Sequence, residues 1–316
     1  MYKVVASACV SRISLTAKYI KMLIPPYRIT LSGGGLKGVA HIGALEVLSE
    51  RGLLKALREY VGISAGALVA FCLCIGSSLS ELRMITSLLD FGLVRDLDAE
   101  NMLNFTETYG LDTGANVEKL LKAILRARRI DPEITFRGLA ELRLGPNLRV
   151  IAMNLNTCCP EEFSATKSPD MPVYLAIRAS MSLPIYFTPV QDPKTGHYYS
   201  DGGVNFSSPF KFLSDEERKH TLSIAFNYRH KPKKEIPSLQ AYLYQLYYCL
   251  DYDTMVSLDN AWASNILYIN CHNVYIMNFE LSQEDKIALM DSGRSSAEEF
   301  LKGGPGRKPA RRFSFS

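Results

Sequence analysis

Tyr27-Arg28-Ile29-Thr30-Leu31-Ser32-Gly33-Gly34-Gly35-Leu36-Lys37-Gly38 and, further on, Tyr60-Val61-Gly62-Ile63-Ser64-Ala65-Gly66 are the two stretches that decide the fold. Each is a short apolar, β-prone segment that runs into glycines, and each opens a stretch of helical spacing. After the first come Val39, Ile42, Leu45, Val47 and Leu48, until Gly52 offers a left-handed stop. After the second, residues 65–75 are almost wholly apolar, as a buried helix is. Two strand-to-helix corners in succession predict an α/β domain with three layers, α/β/α, and a mainly parallel central sheet.

The corners also carry chemistry. A serine with glycine at both second neighbours fits a sharp, strained turn that lifts its hydroxyl above the sheet. Gly62 and Gly66 frame Ser64 in this way. Gly33, Gly34, Gly35 and Gly38 offer backbone N–H groups free of side-chain obstruction, the kind of donor that a developing oxyanion needs. Together they describe an acyl-ester hydrolysis site. Gly33, Gly35 and Gly38 also match G-x-G-x-x-G. A dinucleotide site would want a carboxylate at the end of the second strand, where Gly62-Ile63-Ser64 stands instead. No Lys-Ser or Lys-Thr follows the last glycine, so a Walker phosphate loop fails too.

Ser64 needs a base, because a free hydroxyl is a weak nucleophile at neutral pH. Five histidines are available: His41, His197, His220, His230 and His272. The last three lie late enough for a Ser-acid-His order, but none sits in a glycine- or turn-rich loop. Asp201, in Tyr198-Tyr199-Ser200-Asp201-Gly202-Gly203-Val204, ends a Tyr-Tyr strand and precedes two glycines. Its carboxylate could point out of the sheet and accept the serine proton directly if partly desolvated. On the residues alone, the base is either Asp201 or one of the histidines.

With these three elements in order, the chain resembles the patatin-like phospholipases, whose motifs are G-G-G-x-[RK]-G, G-x-S-x-G and D-G-[GA]. The resemblance runs from about Tyr27 to about Pro209. It takes in Tyr109-Gly110-Leu111-Asp112-Thr113-Gly114, Leu148 to Thr157, Ser168 to Val173, and Ala176-Ile177-Arg178-Ala179-Ser180-Met181-Ser182-Leu183-Pro184, which looks like the family's R-A-S-x-S-x-P segment. It implies a Ser64–Asp201 dyad without histidine. It also implies an oxyanion hole in the loop Gly33, Gly34, Gly35 and Gly38, with the Gly34 and Gly35 amides as donors, and Gly202-Gly203 as the glycines beside the base. The expected activity is cleavage of a carboxylic ester in a glycerophospholipid or other lipid. Alternatives are a low-turnover lipid-binding module on the same scaffold, or a non-lipid esterase with a Ser-His-Asp triad. The chain departs from the pattern at Ile63, at Val204-Asn205-Phe206 and at Lys37, which stands where arginine is frequent and would meet a lipid phosphate as a point charge.

Composition bounds the rest. A chain of 316 residues buries a full core. Residues 27–230 are expected to form the domain, 231–293 a C-terminal helical segment packed on it, 1–26 an extension, and 294–316 a basic disordered tail. The five cations of residues 301–316 (Lys302, Arg307, Lys308, Arg311, Arg312), with no acid among them, exceed the whole chain's net charge of +4, so the body is slightly acidic and nothing points to nucleic acid. Near anionic lipid such a tail gains about 1 kcal/mol per cation, so a peripheral membrane surface joins the lipid substrate as an expected partner. Leu239 to Leu250 has helical spacing and reads as a core-packing helix. The N-terminal 26 residues carry only basic charges and some resemblance to a transit peptide, but read most simply as a helical extension. No run of about 20 apolar residues suggests a membrane span. Seven cysteines without zinc spacing fit a reducing compartment, hence an intracellular, cytoplasmic or peripherally membrane-associated protein that is not secreted. No metal site and no cofactor is expected, and the pattern carries no information on oligomeric state.

Overall fold

In a computed structural model of the chain, the described residues are 25–97, 101, 103–227, 262–271 and 280–303, with 236, 238, 241, 242, 245, 246 and 249. Five parallel strands form the heart of the molecule, in the order β10-β9-β1-β2-β4. They are β1 (Arg28–Leu31), β2 (Glu59–Gly62), β4 (Asn147–Asn154), β9 (Thr221–Phe226) and β10 (Ile266–Ile269). β1 and β9 are buried along their whole length, as inner strands of a sheet covered on both faces are.

Alternation along the strands sorts side chains to two faces. Tyr60, Val150, Ile224 and Leu267 join the larger core, while Val61, Ile151, Ala225 and Ile266 join a smaller one with Phe210 and Leu213. Helices α1 (Val39–Glu50), α2 (Ala65–Cys74), α3 (Leu79–Leu88), α4 (Ala115–Ala127) and α5 (Val173–Ser180) contribute to the larger core. The opposite face is covered by the turn Pro209–Phe212, the short helix Asp215–Lys219 and Trp262. The expected α/β architecture with a mainly parallel sheet is present.

The remaining strands of this sheet are antiparallel additions, and they place the site. β5 (Cys159–Ser164) pairs with β4 along one edge, from Arg149 to Asn154. On the other edge β2 pairs with Asn147–Val150, and β8 (Tyr198–Asp201) takes over at Ala152–Asn154. β8 therefore fills the lane that β2 leaves at Gly62. β7 (Val190–Gln191) pairs outside β8. A separate two-stranded sheet joins β3 (Gly110–Asp112) to β6 (Ile185–Phe187).

The C-terminal helix α6 (Gln283–Leu301) is built into the larger core. It crosses α1 at glycines: a Cβ on Gly43 would stand 1.8 Å from the Met290 carbonyl oxygen, and one on Gly293 2.0 Å from that of Ala40. A Ser282–Asp285 capping box starts this helix, and Gly303, at φ +73°, follows its end. This corrects two expectations. The segment 231–293 contains the strand β10, and residues 294–301 are helix rather than tail, continuing the helix that packs on α1 at Gly293. Residues 1–24 and 304–316 lie outside the described residues. So does part of the 239–250 stretch, of which Ala241, Tyr242, Gln245, Leu246 and Cys249 are helical.

Candidate active site

β4 works as a ruler for the two candidate catalytic residues. Gly62 registers with Val150, and Asp201 registers with Ala152, two residues further along the same strand. Ser64 lies two residues past Gly62, so a serine and an aspartate far apart in sequence converge at one strand end. The Ser64 side chain is a hydrogen-bond partner of the Asp201 carboxyl, and the Gly203 amide donates to Asp201 Oδ1 at 2.7 Å. Asp201 is 4% exposed. Burial pushes its pKa up to about 6, against the opposing pull of the Ser64 and Gly203 hydrogen bonds.

Ser64 occupies the N-cap of α2 with φ 53° and ψ −126°. A non-glycine residue in that region carries about 1–3 kcal/mol of strain, which the surroundings must hold. The flanking glycines make the turn sterically open. A Cβ on Gly66 would meet the Leu31 carbonyl oxygen at 2.2 Å, and one on Gly62 the Ala67 backbone at 2.4 Å. The Ser64 amide donates to Ser180 Oγ at 2.9 Å, and Ser180 Oγ donates to the Ile151 carbonyl at 2.6 Å. One buried hydroxyl thus ties the elbow to the middle of β4.

Gly34 and Gly35 sit at the start of the helical turn Gly35–Gly38, and their amides donate to no other described residue. The Phe226 ring fills the space over Gly34, where a Cβ would lie 2.5 Å from it. Gly38 leaves room for Ala65, whose Cβ would be 2.6 Å away. Gly33 is a correction to the expected donor set, because its amide is spent on the Ser207 carbonyl at 2.8 Å. That bond fastens the glycine loop to the chain that follows Asp201, just past the Val204-Asn205-Phe206 run.

Lys37 is a second correction. It is 5% exposed rather than open at the loop edge, and it lies near enough to Cys271 to oppose the rise of that thiol's pKa by burial. A headgroup phosphate would have to enter the protein interior to reach it.

The described histidines do not join the serine. His41 is buried, its Nε2 donates to the Ser32 carbonyl at 2.9 Å, and its ring leans on Phe226 at 4.7 Å. Burial pushes its pKa down to about 4, so it is a neutral packing residue beside the glycine loop. His197 contacts Asn154, and His220 is exposed at the end of the Asp215–Lys219 helix. His230 and His272 lie outside the described residues.

Two positioning residues were visible in the sequence only as parts of a longer segment. Arg178 is 4% exposed and donates to the Thr113 carbonyl at 2.8 Å, the Thr188 carbonyl at 3.1 Å and Ser182 Oγ at 2.5 Å. The Ser182 carbonyl in turn accepts the Asp201 amide and the Ser200 hydroxyl, both at 2.8 Å. Arg178 thus links the β3 region to the backbone of Asp201. Among the described residues, no group of three or more His, Cys, Asp or Glu side chains is placed to hold a metal ion, and no helix is long and apolar enough to cross a membrane.

A family model for the patatin-like phospholipases matches residues 29–213. Over 303 residues the chain is 30% identical to the uncharacterized protein YqhO of Bacillus subtilis, covering 86% of this chain and 96% of that one. It is likewise 30% identical to the probable lipid hydrolase 463L of Invertebrate iridescent virus 6, over 70% of this chain and 69% of that one. Among solved structures, VipD from Legionella pneumophila aligns with a TM-score of 0.56 at 18% identity, covering 89% of this chain and 67% of that chain, a likeness of fold.

Proposed function

Because the chain belongs to the patatin-like phospholipase family, we propose that it is a lipid acyl hydrolase working through a Ser64–Asp201 dyad and an acyl-enzyme, with glycerophospholipids as the substrate class. The observation that carries this reading is the buried Asp201 carboxyl hydrogen-bonded to a strained Ser64, beside the uncommitted amides of Gly34 and Gly35.

The steps follow from the groups present. Asp201, ionised above its elevated pKa, accepts the Ser64 proton as Oγ attacks the ester carbonyl. The carbonyl oxygen becomes an oxyanion, and the Gly34 and Gly35 amides donate to it, each worth about 3–4 kcal/mol in sites of this kind. Collapse expels the alcohol, which takes the proton from Asp201. A water then gives its proton to Asp201 and its oxygen to the acyl carbon. Collapse of that second intermediate releases the fatty acid and returns the proton to Ser64 Oγ. His41 takes no part, being neutral and turned to the Ser32 carbonyl.

The test compares fatty-acid release from phospholipid vesicles and from a soluble short-chain ester by wild type and Ser64→Ala. Turnover of both substrates, abolished in Ser64→Ala, is the expected result. Undiminished turnover in Ser64→Ala would overturn the proposal, and turnover of the soluble ester alone would return the protein to the non-lipid esterases.

A further inference from the structure

Among the described residues, six other than glycine have positive φ, and Ile185, at φ 70°, is the β-branched one of the six. Its branched Cβ makes that region of backbone space costly. Such an outlier persists only where the surroundings over-determine it, and it is a pointer to function. Here they do. The Phe187 amide donates to the Leu183 carbonyl at 2.8 Å, and the Thr188 amide to the Asp112 carbonyl at 2.9 Å. Ile185 registers with Gly110 and Phe187 with Asp112. Arg178 donates to the Thr188 carbonyl and lies over the Phe187 ring at 5.0 Å. A Cβ on Gly110 would stand 2.1 Å from the Thr188 nitrogen, so the two strands leave no slack.

The strained side chain is not spent on the core. Phe187 belongs to the larger core and Met181, Leu183 and Tyr186 pack against it, whereas Ile185 does not and is 39% exposed. The segment that holds it also supports both members of the dyad. Ser180 Oγ accepts the Ser64 amide at 2.9 Å, and the Ser182 carbonyl accepts the Asp201 amide at 2.8 Å. Ile185 follows Ser182 by three residues, which places their Cα atoms within about 11 Å at about 3.6 Å per residue. The hydrogen bond that closes the Leu183–Phe187 turn shortens that span further.

A branched hydrocarbon side chain gains only from an apolar cover, and an ester seated at Ser64 brings one to this place. Resting on the hydrolase reading above, we propose that Ile185 is a specificity residue that lies against the acyl chain of the ester and favours longer chains. The positive φ holds the side chain in place before the substrate arrives, so binding bears no cost of ordering it.

Ile185→Ala and Ile185→Gly both remove the branch, and only glycine accepts the positive φ freely. Leu144→Ala, at an exposed leucine beside Gly76, is the control. The substrates are the butyrate and octanoate esters of p-nitrophenol, and the reading is the ratio of kcat/KM for octanoate to that for butyrate. Both Ile185 variants should lower this ratio about tenfold, and Leu144→Ala should keep the wild-type ratio. In urea unfolding, Ile185→Gly should have a higher midpoint than Ile185→Ala, the reverse of the usual order for these two residues. Three results would overturn the proposal: an unchanged ratio in both Ile185 variants; an equal fall in Leu144→Ala; or a glycine variant no more stable than the alanine one. An unchanged ratio together with a change from dimer to monomer would assign the side chain to a second copy of the chain instead. Failure of the hydrolase reading would appear separately, as wild type that turns over neither ester.

Discussion

Replacing Asp201 with asparagine should stabilise the protein at neutral pH while removing its activity. Asp201 is 4% exposed, and burial raises its pKa from the ordinary 3.8 to about 6. A carboxyl whose pKa is raised by folding favours the native state fully only below its unfolded pKa. That contribution is lost as pH rises through about 6. A difference of about two units, at 1.36 kcal/mol each, amounts to about 2–3 kcal/mol between pH 4 and pH 7.5. Asparagine carries no charge to desolvate. Its Oδ1 can still accept the Gly203 amide, and its Nδ2 can donate to Ser64 Oγ. The stability difference between Asp201→Asn and wild type should therefore grow by about 2–3 kcal/mol across that range, in favour of the variant. Urea unfolding at half-unit pH steps measures it directly. A difference that stays flat with pH, or that falls as pH rises, would refute a buried, ionised base at this position.

Three further outcomes are expected. The pH profile of kcat/KM on a soluble ester should rise through a single acidic limb near pH 6, because the base must be ionised in the free enzyme; a limb near 4 would place the base in open solvent. Ser180→Ala should leave the Ser64 amide and the Ile151 carbonyl without partners, costing about 1–3 kcal/mol by thermal or urea unfolding and lowering kcat more than it raises KM. A variant indistinguishable from wild type in both would remove Ser180 from the support of the elbow. Gly66→Ala should fail to reach the native fold, since its methyl would stand 2.2 Å from the Leu31 carbonyl oxygen, and a well-folded, active variant would contradict that packing.

The parts of the fold legible in the sequence were those whose cause is local. Gly62 and Gly66 announce a close backbone approach because no side chain fits there, and the apolar run after Ser64 announces the buried helix that follows. Asp201 was legible as a turn residue and a candidate base, but the residues alone did not decide between it and a histidine. Its meeting with Ser64 depends on β8 taking over the edge of β4 that β2 leaves, a register that no local pattern encodes. The same holds for Gly33 and Lys37. One is read from its neighbours as an open amide and the other as an open cation, yet Ser207 and the interior claim them through contacts distant in sequence. Ser180, Ser182 and Arg178 look like ordinary polar residues on and after a short helix, and only their tertiary partners give them roles. Gly293 belongs with them, since only its contact with Ala40, far away in sequence, shows that it lets α6 touch α1.

The most direct measurement of the account is the rate at which a fluorophosphonate acylates Ser64, followed by peptide mass mapping across pH 4.5–8.5 in wild type and in Asp201→Asn. The expected result is modification of Ser64 alone, with a wild-type rate that rises through an ionisation near pH 6 and falls at least a hundredfold in the variant. Equal labelling of the two proteins, or labelling that disappears instead when a histidine is replaced, would contradict the Ser64–Asp201 dyad.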